Sequence, residues 1–454
     1  GLDYRLFAEP GSRAPRNRNL QEGGIVSNTQ MQTNSTEEFA ALIGIDWASE
    51  KNDVWVYDTA TGKESHREVK QTAEELAEWV ADLRVRFGGR QVAISLEQAR
   101  GGLIYALLGY EFITLYPINP ATLSKYREAF SPSRAKDDPT DAELLMDLLR
   151  KHRDQFKSWR PDDEQTRTLA MLNEERRKNV QLRLKIVQRL HATLNNYFPQ
   201  ALELLCGNLT SELACAFILK WPTLDALKRA KPETVRAFYY RHMYRSPGLI
   251  EGNLEKIAAA VPLTKDMAIL TASTLAAQTL ARQIRAINVS IEEYDQAIKK
   301  IFKAHPDSFI FDSFPGAGQN LAPRLLTAFG TDRDRYASAV DIQTYSGIAP
   351  VVERSGKQEW IHWRWACPKF IRQSFHEFAR CSLASSLWAQ AYFKQQKERG
   401  ASPHAAFRAL AFKWQRILFR CWQDRVPYDE DRYIEALKRN GSPLWARIQA
   451  LQQA

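Results

Sequence analysis

The chain has 454 residues, 44% hydrophobic and 26% charged, which allows two or three globular domains and excludes disorder over most of its length. A formal net charge of +10 favours a polyanionic partner such as nucleic acid. Five cysteines without CxxC spacing argue against a disulfide framework and against a zinc site, and no apolar run approaches the ~18 residues of a membrane span.

Residues 1–37 are polar and rich in Gly, Asn and Arg, which is typical of a tail. We interpret them as a disordered or processed arm whose arginines could touch nucleic acid, with Met31 as an alternative start. Three predicted domains follow, at residues 38–158, 159–304 and 305–454.

The first predicted domain alternates strands with helices. Predicted strands are LIGIDWA, DVWVYD, SHREVKQ, QVAISLE and FITLYPINP, because apolar residues run together or alternate in them. TAEELAEWVADLRVRF is a predicted helix capped by Thr72 with a glutamate three residues on, and GGLIYALLGY is a shorter helix. This order indicates an α/β sheet layered with helices.

The second predicted domain is helical and carries two heptad seams. Their members recur at spacings of three and four: Val180, Leu184, Val187, His191, Leu194 and Phe198, then Ala277, Leu280, Ile284, Ile287, Ile291, Tyr294, Ile298 and Ile301. The second seam extends over about three heptads, the signature of a coiled coil. It either pairs two helices within one chain or joins two chains, and an oligomerisation arm is the favoured interpretation.

The third predicted domain begins with FDSFPGAGQNLAPRLLTAFG, which predicts a helix, a Gly-containing hairpin and a second helix. Gly316 and Gly318 either present backbone N–H groups to a phosphate or form a plain tight turn. The next segment, YSGIAPVVERSGKQEWIHWRW, is rich in loop residues, and helices are predicted after it.

The basic charge of the chain is concentrated in this last domain. Residues 353–425 hold 14 Lys and Arg against 5 Asp and Glu, with tryptophans interleaved. The helical tryptophans are expected in the core, whereas Trp360, Trp363 and Trp365 could stack on unpaired bases.

Four acidic residues of the first domain stand where strands end or a helix begins. Asp46 ends IGIDWAS and Glu97 ends ISLEQAR, whereas Asp138 and Asp141 flank Pro139 at the start of a helix. Four converging carboxylates repel one another unless Mg²⁺ or Mn²⁺ binds between them. A pair of such ions about 4 Å apart clamps the two oxygens of a phosphodiester displacement. Helix capping explains a single aspartate but not the ordered set.

The order of these motifs resembles that of the DEDD-type insertion-sequence transposases, the IS-one-ten family of bridge-RNA-guided serine recombinases. The resemblance runs from about Ala41 to about Tyr433, through IGIDWASEKNDVWV, ISLEQARGG, YPINP, KDDPTDA, FPGAG, YSGIAP and ERSG. It implies a RuvC-like N-terminal domain with the RNase H fold, a helical coiled-coil arm and a mainly α C-terminal transposase domain.

The resemblance also implies roles for particular residues. Asp46, Glu97, Asp138 and Asp141 would coordinate Mg²⁺, and Ser355, in RSG, would attack the DNA phosphate to give a covalent phosphoserine intermediate. Strand exchange and a Holliday junction would follow, guided by a structured bridge RNA paired to donor and target DNA. The family further implies a homodimer or homotetramer in the bacterial cytoplasm, with acids and serine from different protomers.

Ser355 needs a metal or base to take its proton and cations to balance the phosphate charge. Without the resemblance it is a turn serine beside Gly356, and Ser346, in a packed turn, is the competing serine. After Ser355 the chain departs from the family, because QEWIHWRWACPKF replaces a Gly-rich basic stretch and a Ser-Lys-x-Gly turn. The nearby cations predicted to bind nucleic acid are Arg354, Lys357, Arg364, Lys369 and Arg372.

Two other functions stay open at this point. A RuvC-type, Mg-dependent Holliday-junction nuclease would use the same carboxylates to activate water and would never become linked to DNA. A non-enzymatic protein on a decayed RNase H fold would bind nucleic acid without turnover, although the intact set of acids argues against it.

Overall fold

The computed structural model describes residues 39–97, 101–130, 138–156, 158–159, 161–356 and 358–453. The predicted arm at residues 1–37, Lys357 and the side chain of Asp138 lie outside this description. The chain divides into two compact units, one that ends at Pro161 and one that begins at Asp162. Among the described helices, none is long and apolar enough to cross a membrane.

The first unit has a mixed α/β composition, as its alternating sequence pattern predicts. Its strands are β1 (Ala41–Trp47), β2 (Lys51–Asp58), β3 (Glu64–Lys70), β4 (Val92–Leu96) and β5 (Ile113–Pro117). Its helices are α1 (Ala73–Arg86), α2 (Gly102–Leu107), α3 (Pro120–Phe130) and α4 (Asp138–His152), followed by a short 3-10 turn. The hydroxyl of Thr72 accepts a hydrogen bond from the Glu75 amide, so the predicted cap of α1 is confirmed.

The strands of this unit form one sheet in the order β3-β2-β1-β4-β5 over the described residues. β1 and β2 pair antiparallel, as do β2 and β3, whereas β1, β4 and β5 run parallel. Both β1 and β4 are apolar and almost wholly buried, because helices cover the two faces of the sheet. The parallel strands therefore all end at the same edge.

Helix α4 packs directly on β1, and Gly44 makes this contact close. A Cβ atom at Gly44 would lie 1.9 Å from the carbonyl oxygen of Ala142. The buried Ser95 hydroxyl of β4 donates a hydrogen bond to the carbonyl oxygen of Leu145, over 2.8 Å. These two contacts hold the first turns of α4 near the ends of β1 and β4.

The second unit begins with the arm, which is helical as predicted. Its helices are α5 (Glu164–Tyr197), α6 (Gln200–Leu204), α7 (Glu212–Lys220), α8 (Leu224–Lys228), α9 (Pro232–Arg241), α10 (Pro247–Ala259) and α11 (Met267–Ala304). The long helices α5 and α11 pack against each other over much of their length. The Arg183 guanidinium of α5 donates to Asn288 of α11 over 2.8 Å, and Gln165 donates to the carbonyl of Ile301 over 3.1 Å. The N-terminal part of α5 thus contacts the C-terminal part of α11, so the two helices are antiparallel.

The seam predicted for α11 is confirmed, since most of its apolar members are buried. The seam predicted for α5 is wrong in part, because Leu184 is 51% exposed and His191 is exposed as well. Leu194 and Phe198 of the predicted seam are buried, and Leu169 and Leu190, which were not predicted, are buried as well. The structure therefore shows the antiparallel pairing within one chain; a role of the arm in joining two chains stays a prediction.

The C-terminal part of the second unit is mainly helical. Its elements are α12 (Ser308–Asp312), α13 (Gly318–Phe329), α14 (Ala339–Tyr345), β6 (Val351–Ser355), β7 (Gln358–His362), α15 (Lys369–Ser382), α16 (Leu387–Glu398), α17 (Pro403–Asp424), α18 (Glu430–Arg439) and α19 (Pro443–Gln452). The helical tryptophans Trp388, Trp414 and Trp422 are fully buried, and each indole N–H donates to an acceptor within 2.9 Å. They belong to the core, as expected.

The segment around Ser355 is more regular than the loop that the sequence suggests. β6 and β7 form an antiparallel hairpin, with Ser355 paired to Gln358 across a two-residue turn. Gly356 opens this turn with φ of 58°, a value that glycine adopts at little cost and that short hairpin turns require. Alternation of apolar and polar residues is weak in both strands, which explains why a strand was not predicted.

Candidate active site

Asp46 and Glu97 lie side by side at the edge where the parallel strands end. The register of β1 and β4 pairs Ile45 with Leu96, the last residue of β4, and the two acids are the residues that directly follow this pair. Asp46 is buried and Glu97 is half-buried. The prediction that both acids emerge at strand ends is confirmed.

Asp141 comes to the same edge from the first turn of α4. Its neighbour Ala142 contacts Gly44, which lies two residues before Asp46. Strand residues two apart point to the same face of a sheet, so Asp46 lies on the face that α4 covers. The fold thus brings Asp46, Glu97 and Asp141 to one region, and the backbone of Asp138 begins the same helix.

Arg127, from α3, binds Asp141 with both ends of its guanidinium fork. Nε lies 2.6 Å from Oδ1 and Nη2 lies 2.6 Å from Oδ2. The Asp141 side chain is 1% exposed and that of Arg127 is 15% exposed. Among the side chains that the structure describes, no three acidic, imidazole or thiol groups stand close enough together to hold a metal ion. The charge of Asp141 is balanced by arginine here.

A further buried carboxylate, Asp53, was not predicted. The register of β1 and β2 places Asp53 directly opposite Asp46, so the two side chains share one face of the sheet. The imidazole Nε2–H of His66 donates to Asp53 Oδ1 over 2.9 Å. This hydrogen bond offsets the repulsion between facing carboxylates. The sequence signal is faint: one acidic residue at the start of the alternating strand DVWVYD.

Ser355 lies at the tip of the exposed β6–β7 hairpin, in the second unit. The register pairs Glu353 with Trp360 and Ser355 with Gln358, so Ser355 and Trp360 share one face of the hairpin. The Trp360 side chain is 44% exposed. On the other face, Arg354 Nε donates to Glu359 Oε2 over 2.9 Å. The hydroxyl and an aromatic ring therefore face the same side, where solvent reaches both.

The other predicted cations divide into exposed and structural groups. Lys369 is exposed at the start of α15. Arg364 instead supports the base of the hairpin, where it donates to the carbonyl oxygens of Ala349 and Pro350 over 3.2 and 3.3 Å. Arg372 donates to the carbonyl of Arg364 over 3.1 Å, and its guanidinium lies 4.9 Å from the ring centre of Trp363. Nucleic-acid binding by these residues stays a prediction.

His376 lies one turn beyond Arg372 on α15. Burial, together with the positive charges of Arg408, Arg372 and His404, lowers the pKa of its imidazole to about 4. A neutral imidazole among arginines leaves the positive charge of this region on the guanidinium groups.

Two remaining predictions concern turns. At Gly316, φ is 79° and a Cβ atom would lie 2.5 Å from the Cys381 backbone, so packing against α15 explains this glycine. At Gly318 there is open space. The hydroxyl of Ser346 is buried, donates to the carbonyl of Gln343 and accepts from the Gln415 amide over 2.7 Å. Ser346 is a packed turn serine, as predicted.

Both the sheet and the hairpin region match known protein families. Residues 43–199 match a family described as transposase, and residues 309–394 match the family described as transposase IS116/IS110/IS902. The first match covers the sheet with its acids and the second covers the hairpin with Ser355. Together they define the chain as a transposase of insertion sequences.

Relatives extend this similarity over most of the chain. A mini-circle putative transposase for IS117 from Streptomyces coelicolor is 26% identical over 88% of this chain and 98% of its own length. The IS900 42 kDa protein of Mycobacterium paratuberculosis is 24% identical over 78% of this chain and 88% of its own length. The putative transposase y4uE of Sinorhizobium fredii is 28% identical over 46% of this chain and 59% of its own length. The chain belongs to the IS110 family of transposases, which confirms the resemblance drawn from its motifs.

Proposed function

We propose that this transposase is an RNA-guided DNA recombinase that cuts and exchanges strands through a phosphoserine intermediate at Ser355. The observation that carries the proposal is the placement of Asp46, Glu97 and Asp141 at the same edge of one sheet, with their side chains farther apart than a shared metal ion requires. The strand order β3-β2-β1-β4-β5, antiparallel on one side and parallel on the other, supports an RNase H-like fold for this unit.

The donor set suits a hard divalent cation. Asp46, Glu97, Asp138 and Asp141 offer only carboxylate oxygens, the ligands that Mg²⁺ and Mn²⁺ prefer. When bound, such ions balance the charge of the transferring phosphate and polarise its oxygens. Burial of Asp46 and Asp141 favours positive charge in this region, and Arg127 supplies it to Asp141 in this structure.

Ser355 supplies the nucleophile in this proposal. Its hydroxyl oxygen forms a bond to phosphorus, the bond from phosphorus to one sugar oxygen breaks, and that oxygen leaves as a hydroxyl group after taking up a proton. Exposure at a hairpin tip suits attack on a large substrate such as duplex DNA, whereas the buried Ser346 is closed to it. Trp360, on the same face as Ser355, is available to contact the neighbouring base.

Trapping the protein–DNA adduct under denaturing conditions tests the serine. Ser355→Ala is expected to abolish the adduct while RNA and DNA binding persist. Gln358→Ala, at the paired position across the same turn, is the matched control and is expected to retain the adduct. Survival of the adduct in Ser355→Ala would refute the serine assignment. Strand cleavage without any adduct in the unmodified protein would favour a RuvC-type nuclease that activates water.

Asp46→Asn tests the acids. Strand cleavage dependent on Mg²⁺ is expected to disappear, because the replacement removes one negative ligand at nearly constant side-chain volume. Full cleavage by this variant would contradict the metal centre.

RNA guidance and assembly as a homodimer or homotetramer rest on the family resemblance. Sequencing the RNA that co-purifies with the protein tests guidance, since its loops should match donor and target DNA. Absence of a discrete RNA species would contradict it, and the mass of the complex in solution gives the oligomeric state.

A further inference from the structure

Arg127 binds both carboxylate oxygens of a proposed metal ligand, Asp141. Its guanidinium uses Nε and Nη2 to bind both oxygens of Asp141 at 2.6 Å. Bidentate pairs of this kind are strong and fix the orientation of the carboxylate. Because the Asp141 side chain is 1% exposed, water cannot stabilise its charge, and the arginine is its counter-ion.

A guanidinium and a divalent cation compete for the oxygens of the Asp141 carboxylate. Metal coordination needs a lone pair of a carboxylate oxygen, and a bound cation repels a guanidinium at the same oxygens. The side chain of arginine is long and has several rotatable bonds, so it can leave while its backbone stays in place.

The backbone of Arg127 is anchored separately. The neighbouring Tyr126 hydroxyl donates to Asp147 Oδ2 of α4 over 2.8 Å. Burial and this hydrogen bond raise the pKa of Tyr126 to about 12, so the hydroxyl keeps its proton near neutral pH. The two helices therefore stay joined when the Arg127 side chain moves.

We propose that Arg127 is a positioning residue: it holds Asp141 before the metal binds and releases it when the cation arrives. Arg127 thereby sets the cation concentration at which the centre assembles. This inference rests on the proposed metal centre.

Titration of the full-length protein with Mn²⁺, followed by electron paramagnetic resonance, tests the inference without any DNA. Arg127→Gln removes the competing charge and is expected to bind Mn²⁺ about 10-fold more tightly than the unmodified protein. Lys125→Gln is the matched control, because it removes an exposed positive charge from the same helix and leaves the pair of Arg127 with Asp141 intact, and its affinity is expected to be unchanged. Without metal, Arg127→Gln is expected to unfold at a lower temperature, and Mn²⁺ should raise that temperature more than in the unmodified protein.

Arg127→Lys keeps the positive charge but loses the two-pronged hydrogen bonding of arginine. It is a second variant that still tests the inference if Arg127→Gln does not fold. Its Mn²⁺ affinity is expected to fall between those of the unmodified protein and Arg127→Gln. Equal or weaker Mn²⁺ binding in these variants would overturn the inference. If instead the unmodified protein binds no Mn²⁺, or Asp46→Asn leaves binding unchanged, the proposed metal centre itself fails.

Discussion

The replacement Gly44→Ala tests whether the contact of β1 with α4 holds the acidic residues together. The added Cβ atom would lie 1.9 Å from the carbonyl oxygen of Ala142 and 2.5 Å from the amide nitrogen of Met146. Both atoms belong to the backbone, so no side-chain rotation relieves the clash. Because ordinary contact begins at 3.4 Å, strand and helix must separate by about 1.5 Å at this point.

Two consequences of different size follow from this separation. Overpacking of a core contact lowers the free energy of unfolding by about 1–3 kcal/mol. The separation also moves Asp46 away from Asp141, and a misplacement of about 1 Å near reacting groups costs about 100-fold in rate. We therefore expect a protein that still folds but whose Mg²⁺-dependent strand cleavage falls by about 100-fold.

Urea unfolding and single-turnover strand cleavage, below the unfolding transition of the variant, measure the two effects separately. Gly102→Ala is the matched control in the same unit, since the nearest atom would be the flexible end of Gln71 at 3.8 Å. Its free energy of unfolding should change by less than about 0.5 kcal/mol, and its cleavage should be normal. Gly44→Ala with unchanged stability and cleavage would refute the reasoning.

Three further predictions concern the second unit. In the unfolded chain His376 binds a proton below its ordinary pKa of 6.5, whereas in the folded protein it does so only near pH 4. The free energy of unfolding should therefore fall by about 2 kcal/mol from pH 7 to pH 5. His376→Gln should remove that loss in urea titrations at the two pH values. Leu190→Ala should lower the free energy of unfolding by about 2–5 kcal/mol, because Leu190 is fully buried. Leu184→Ala, 51% exposed, should change it by less than about 0.5 kcal/mol, and equal effects of both would contradict the packing of α5. Trp360→Ala should reduce the amount of protein–DNA adduct without loss of stability. Val352→Ala, on the opposite face of the hairpin, should leave the amount of adduct unchanged.

Much of the first unit could be predicted from local patterns. The run of apolar residues that ends in Asp46, and the one that ends in Glu97, predict buried strands with acids at their ends, and the structure has both. Thr72 caps α1 as its spacing to Glu75 indicates. Such features depend on residues a few positions apart, and the chain contains all the information they need.

The second unit shows where periodicity stops being informative. A heptad pattern tells which residues can lie on one face of a helix, but not which neighbour covers that face. Leu184 and His191 fit the pattern in α5 and remain exposed, since α11 and the helices between pack on the face of Leu190 instead. Likewise the strands around Ser355 lack clear alternation, because the hairpin has no buried face to select apolar residues.

By itself the sequence determined the α/β order, the acids at strand ends, the helical arm and the membership in a transposase family. Only the tertiary structure decided which charges meet. Arg127 binds Asp141 across 14 positions, and Asp53 lies opposite Asp46. Pairings of this kind follow from register and helix packing, which bring distant residues within a few ångström, and no local pattern of residue types encodes those distances.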